Sequence, residues 1–263
     1  MTGSKRIRSR RTGAVIQKRD RHLLHELGTM RVIDREQGQT VMGFASIRRT
    51  NRRLLKLTHA GLLRRIFIPN PPIGQKALYT LSPNGAALTG SQRAGLPLRQ
   101  SLFGASPFLM HRLAINEIYL TVKYRELPGA DMRLQRWISF REPLSQAVPL
   151  TPDGYFELVT GNAVHPMFLE ADLGTESLPV WQKKTQTYLQ LALSGKFSEL
   201  FRQPKFRVLV IATTDRRLRH IKSAIAKDTD KIFWLSTFEL IKERGFWSSV
   251  WLRPSGDQPL PLL

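Results

Sequence analysis

The run Arg207-Val208-Leu209-Val210-Ile211-Ala212 constrains the fold of this chain more than any other segment. A short, wholly apolar run has no polar face to turn towards water, so it marks a central strand covered on both sides. The chain therefore needs a sheet, and neighbouring segments supply one. A helix over about 108–127 carries Leu109, Leu113, Ile118 and Val122 along one side. Residues 132–140 alternate as a strand does. Two more strands, 153–159 and 166–173, are joined by the tight turn Thr160-Gly161-Asn162. Pro179 in a first helical turn opens a helix through Leu193. After the apolar run come a helix near 215–227, a strand at 232–235, a helix near 237–244 and a strand at 247–252. The order is αβββαβ with an α/β extension.

The rest of the chain has a different charge. Residues 1–100 hold 20 Lys/Arg against 4 Asp/Glu, whereas residues 101–263 hold 21 against 16. A basic half this concentrated predicts a footprint for a phosphate backbone, with salt-dependent binding. A membrane-surface role would need a basic amphipathic helix with exposed aromatics, which is missing. The absence of cysteine excludes disulfides, thiolate metal sites and a cysteine nucleophile. No apolar run approaches the roughly 20 residues that cross a bilayer. The basic N-terminus lacks the apolar stretch of a signal peptide, so a cytoplasmic location is expected.

Residues 1–17 read as a disordered basic arm. Asp20 is placed to cap a helix to about Leu27, with Gly28 as its stop; a second helix runs from Asp34 to before Gly43. Ser46 caps a third, to about Ala60, with Ile47, Leu54, Leu55 and Leu57 apolar. Its other face carries Arg48, Arg49, Asn51, Arg52, Arg53 and Lys56, cations that would repel one another without a polyanion. A hairpin follows, 62–68 and 77–81, bearing Arg64 and Arg65, and then a short helix from Ser82-Pro83 to Leu88. The strings RRLLKLTHAGLLRR (52–65) and ALYTLSPNGAAL (77–88) resemble the winged helix–turn–helix superfamily. That resemblance implies a third helix in the major groove and a wing on the backbone. Arg48, Arg49, Asn51, Arg52, Arg53, Lys56, Arg64 and Arg65 are the expected contacts to double-stranded DNA. His22, His25 and His59 read as surface or capping residues. A Gly/Pro-rich linker over 91–107 separates a domain at 18–90 from one at 108–263.

Acids line the edge of the predicted sheet. Pro152-Asp153 opens one strand, Glu170 and Asp172 end the next, and Lys183-Lys184 follow on a helix. Carboxylates at a buried edge need compensation, most often from a divalent metal. Asp153 alone has an ordinary reading as a turn residue, since Pro-Asp-Gly is a common turn. Glu176 reads as a helix-start acid, and Arg216 and Arg217 as either phosphate contacts or surface charges.

With Pro152-Asp153, the string FLEADLGTE (168–176), Lys184 and Tyr188, the second half resembles the restriction-endonuclease-like fold, whose signature is Pro-Asp followed by Asp/Glu-x-Lys. The whole arrangement resembles the replication-relaxation family of plasmid and mobile-element proteins over about residues 19–252. The resemblance implies Mg²⁺ or Mn²⁺ held by Asp153 and Glu170 with the Ala171 carbonyl, and Glu117 as a further acid. Asp172 stands where the motif has lysine. Helical spacing puts Lys184 on one face with Tyr188, so Lys184 is expected to supply the missing cation, completing a catalytic set of Asp153, Glu170, Asp172 and Lys184.

Two functions follow. One is a metal-dependent endonuclease or nickase directed by the winged helix. The other is a DNA-binding replication, mobilisation or transcription factor without chemistry. A homodimer on paired half-sites is expected. No phosphate-binding loop is present, so no nucleotide cofactor is expected.

Overall fold

The computed structural model describes residues 15–263 apart from 71, 73, 91–101, 126, 128 and 130. Most of the basic arm expected at 1–17, and of the linker expected at 91–107, lies outside the described residues. The chain divides into two compact units, Met1–Tyr124 and Arg125–Leu263.

In the first unit, α1 (Lys18–Met30) begins one residue after Gln17, whose backbone N–H donates to Asp20 at 2.6 Å. Asp20 is therefore the third residue of the helix and not its cap. The helix also continues through Gly28, because Leu23, Leu24, Leu27 and Met30 are all buried along one side. Packing outweighs the cost of about 1 kcal/mol for an internal glycine. Helix α2 (Arg35–Met42) is capped by Asp34, which accepts from Gln37 N–H at 2.8 Å. It closes on Gly43 in the left-handed region at φ 64°. Helix α3 (Ile47–His59) buries Thr50, Leu54 and Leu57. Strands β1 (Leu63–Asn70) and β2 (Gly74–Leu81) form an antiparallel hairpin with Leu63 opposite Leu81. Helix α4 (Pro83–Leu88) is capped by Ser82. Gly85 in it is required by contact, since a Cβ there would meet the Leu62 carbonyl oxygen at 2.1 Å.

Helix α5 (Leu102–Tyr124) closes this unit and does not open the second, which moves the boundary from the one expected. Its polar residues decide the matter. The Asn116 amide donates to the carbonyls of Met30 (3.2 Å) and Val32 (2.7 Å), and Tyr119 OH donates to Glu26 at 2.6 Å. Gln37 in turn donates to the Leu113 carbonyl at 2.9 Å. Such buried bonds are costly to leave unmade, so α5 is tied to α1 and α2.

The second unit is a five-stranded mixed sheet: β3 (Met132–Ile138), β4 (Gly154–Thr160), β5 (Ala163–Asp172), β6 (Arg207–Ala212) and β7 (Phe233–Thr237), in that order. The first three are antiparallel, and β5, β6 and β7 are parallel. Parallel neighbours need long crossovers. Helices α6 (Leu178–Leu193) and α7 (Lys196–Phe201) make the first, and α8 (Asp215–Ile225) makes the second. One face of the sheet presents Tyr155, Phe168, Val208, Val210 and Phe233 to Trp181, Tyr188, Phe197, Phe201 and Ile221. Strand β6 lies inside the sheet with Val208 through Ala212 buried, as its apolar run requires.

Helix α9 (Phe238–Arg244) follows β7. The strand expected at 247–252 is absent: only the bridges Leu235–Leu252 and Trp251–Leu260 form. Trp251 is buried and donates its indole N–H to the Phe246 carbonyl at 2.8 Å, so an aromatic-packed loop takes its place. No described helix is long and apolar enough to cross a membrane.

Candidate functional site

Strand β4 starts immediately after Pro152-Asp153, and its antiparallel register sets Gly154 opposite Leu169. One step earlier, Asp153 falls opposite Glu170. Two hydrogen bonds fix it there: Asp153 N–H donates to the Leu169 carbonyl at 3.1 Å, and Ala171 N–H donates to Asp153 Oδ2 at 2.8 Å. Asp153 is thus bonded to the residues on either side of Glu170.

Glu170 is buried, at 1% exposure. Helix α6 brings it two partners one turn apart. Lys184 Nζ donates to Oε2 at 2.9 Å, and Tyr188 OH donates to Oε1 at 2.6 Å. Lys184 also donates to Glu176 at 2.7 and 2.9 Å. Burial pushes the Glu170 carboxyl up to about 7; Lys184 opposes this, and the charge of Asp153 adds to it. For Lys184, burial acts against the charge, but Glu170 and Glu176 together raise its pKa above the ordinary lysine value. Lys184 therefore remains a cation at any physiological pH, while Glu170 is poised between its two forms.

Asp172 is different. Its Oδ1 accepts from Gly174 N–H at 2.7 Å and Arg217 Nε at 2.8 Å; its Oδ2 accepts from the Trp181 indole at 2.8 Å and a second Arg217 nitrogen at 2.7 Å. Burial works against its charge, but Arg217 and Trp181 hold its carboxyl below the usual aspartate range. With four donors on two oxygens, Asp172 has little acceptor capacity left for a metal or substrate. The carboxylate expected in the catalytic set is thus engaged by Arg217, Trp181 and Gly174. Glu117 belongs to α5 in the first unit, whereas Asp153 and Glu170 lie in the second. Among the described residues, no group of three or more His, Cys, Asp or Glu is placed to hold a metal ion.

Arg217 and Glu176 emerge as members of this neighbourhood. Arg217, read as a phosphate contact or a surface charge, is the half-buried partner of Asp172 and also bonds the Glu176 carbonyl. Its only sequence signal was a position just after β6, on the strand next to β5. Glu176 does precede α6, but its carboxylate grips Lys184.

In the first unit, Arg48, Arg49, Arg52 and Lys56 are exposed along α3, and Asn51 is half-buried. Arg65 is exposed on β1 with its guanidinium 4.8 Å from the centre of the Phe67 ring, and Arg64 is half-buried. Asn51 and Arg65 line a cavity of about 520 Å³ together with Leu55, Lys76 and Tyr79. Arg53 departs from this set. It pairs with Asp20, which is fully buried, and donates to the Val15 carbonyl at 2.8 Å. Arg53, expected on DNA, thus bonds α3 to α1.

The sequence profile of the replication-relaxation family matches residues 24–201. This chain belongs to that family. The match begins in α1 and ends with α7, so it contains Asp153, Glu170, Asp172 and Lys184 but not Arg217. Membership suggests a replication or mobile-element role. Searches of curated proteins and of solved structures returned no match.

Proposed function

We propose that this replication-relaxation protein binds double-stranded DNA through its first unit and nicks or cleaves it with a metal-dependent site in its second. The observation that carries the reading is Lys184 Nζ at 2.9 Å from Glu170. Helix α6 thereby supplies the cation that the strand, with Asp172, does not. Asp153 and Glu170 face each other across neighbouring strands, and the charge of Asp153 disfavours that of Glu170. A divalent cation beside the two carboxylates would relieve that repulsion. Two carboxylates suffice for Mg²⁺ or Mn²⁺, because such ions keep several waters.

Asp153 and Glu170 would hold the ion, which would polarise the scissile phosphate and lower the pKa of an attacking water. The Ala171 N–H keeps Asp153 oriented, and Tyr188 OH does the same for Glu170. Because Lys184 stays protonated, it acts by stabilising phosphoryl charge and not as a base. In the first unit, three helices and a hairpin in this order support a winged helix–turn–helix. Helix α3 would enter the major groove with Arg48, Arg49, Asn51, Arg52 and Lys56, while Arg64 and Arg65 on the wing meet the backbone. Dimer formation on paired half-sites accompanies this reading.

A non-catalytic reading is favoured by one contact, the grip of Glu176 on Lys184, which occupies the ammonium group. Supercoiled plasmid with Mg²⁺ or Mn²⁺ separates the two. The nuclease reading expects open circles from the wild type, and a loss of roughly 100-fold or more in Asp153→Ala and Lys184→Ala with duplex binding intact. If the wild type produces no metal-dependent scission at any concentration, the non-catalytic reading stands.

A further inference from the structure

Trp234 on β7 has two guanidinium groups against it. The central carbons of Arg207 and Arg253 lie 5.1 and 4.7 Å from its ring centre. All three residues line a cavity of about 400 Å³ at the start of β5, β6 and β7, with Lys205 as a third cation and His165 beside them. No carboxylate is among the described lining residues; Val164, Pro166, Phe206 and Ile232 supply an apolar wall.

Such a set of cations is held against its own repulsion. Burial and the charge of Arg253 lower the pKa of Arg207, and burial with Arg207 and Lys205 lowers that of His165. The forks are fixed in place: Arg253 donates to the Asp230 carbonyl at 2.7 Å and Arg207 to the Leu262 carbonyl. The wall is strained as well. Ile232 has φ 50°, in the left-handed region that a β-branched residue seldom adopts. Val208 N–H pins it by donating to its carbonyl at 2.8 Å. Strain of this kind persists where the surroundings enforce it, and it clusters at ligand-binding sites.

The cavity is separate from the carboxylate cluster. On β5, His165 and Glu170 are five residues apart, which puts them on opposite faces of the sheet and roughly 17 Å apart along the strand.

We infer that this cavity binds a nucleotide unit of single-stranded DNA, its phosphate held by Arg207, Arg253 and Lys205 and its unstacked base lying on the apolar wall. Guanidinium forks match phosphate oxygens, and aromatic groups interleaved with cations are the usual platform for an unpaired strand. The volume suits one nucleotide. A duplex keeps its bases stacked and cannot offer one to such a cavity, so this site takes a strand already opened. The inference does not depend on cleavage by the carboxylate cluster.

The test uses the full chain saturated with unlabelled duplex DNA, and reads fluorescence anisotropy of a labelled oligothymidylate. The single strand is expected to bind despite the duplex. Its affinity should fall about tenfold in Arg253→Gln and in Lys205→Glu, with duplex affinity unchanged. Lys205 is exposed, so that variant leaves no buried group unpaired. Loss of oligothymidylate binding on adding duplex, unchanged affinity in both variants, or competition by thymidine monophosphate as effective as by the oligomer would each overturn it.

Discussion

Glu170 and Asp172 lie two residues apart on β5 and face the same side of the sheet, yet their surroundings differ in kind. Asp172 receives four donors and is held below the usual aspartate range. Glu170 receives two, faces a second carboxylate, and is pushed up to about 7. A buried acid whose partners saturate it is scaffold, because nothing further is gained by bringing another cation to it. A buried acid left short of compensation has a use for one. On this comparison the proposed site centres on Glu170, while Asp172 is held by its own partners, although the motif pattern treats the two positions together.

The largest effect should come from breaking the saturated side. Arg217→Ala leaves the buried Asp172 without its countercharge, and should lower the urea-unfolding stability of the second unit by about 3–5 kcal/mol. Glu170→Gln, which keeps shape and removes a poorly compensated charge, should shift it by no more than about 1 kcal/mol. Equal losses in the two variants would erase the contrast.

The first unit offers the same contrast among arginines. Arg53 is bonded to fully buried Asp20, whereas Arg52, its neighbour in sequence, is exposed. Arg53→Ala should cost about 3 kcal/mol of stability. Arg52→Ala should leave stability within about 0.5 kcal/mol. It should instead weaken duplex binding and reduce the salt slope by about one. A stable Arg53→Ala with weakened DNA binding would return Arg53 to the interface.

A smaller effect is the pH dependence. The Glu170 pKa of about 7 in the folded state lies above its ordinary 4.5, so the folded state binds more protons between those values. Its contribution therefore makes the second unit less stable as pH rises from about 4.5 to about 7. Asp172 has the opposite sign: its lowered pKa contributes stability above about 3.8 that is lost as pH falls through the lowered value. Denaturation midpoints across pH should show the first slope flattened in Glu170→Gln and retained in Asp172→Asn.

How much of this was legible in the sequence depended on the range of the interaction. The apolar run at 208–212 located the central strand, and Lys184 was singled out by its helical spacing to Tyr188; both signals are local. The partner of Asp172 was not legible, because Arg217 is 45 residues away and reaches it only through the parallel pairing of β5 with β6. The ownership of α5 was hidden for the same reason. A Gly/Pro-rich segment precedes the helix, but Asn116 and Tyr119 bond residues of the first unit more than 80 positions earlier. Helix α7 was missed because it is a six-residue segment recognised through Phe197 and Phe201 packing on Tyr155 and Phe168. In sequence Arg53 is like its neighbours on α3, and only its bond to buried Asp20, 33 residues away, sets it apart.

The most direct measurement is the rate of Mg²⁺-dependent plasmid nicking by Glu170→Gln and Asp172→Asn, compared side by side with melting temperatures. Glu170→Gln should lose roughly 100-fold or more in rate with near-normal melting, and Asp172→Asn should melt earlier yet retain nicking within about tenfold. The reverse pattern, with nicking lost in a well-folded Asp172→Asn and kept in Glu170→Gln, would contradict the assignment of these two carboxylates.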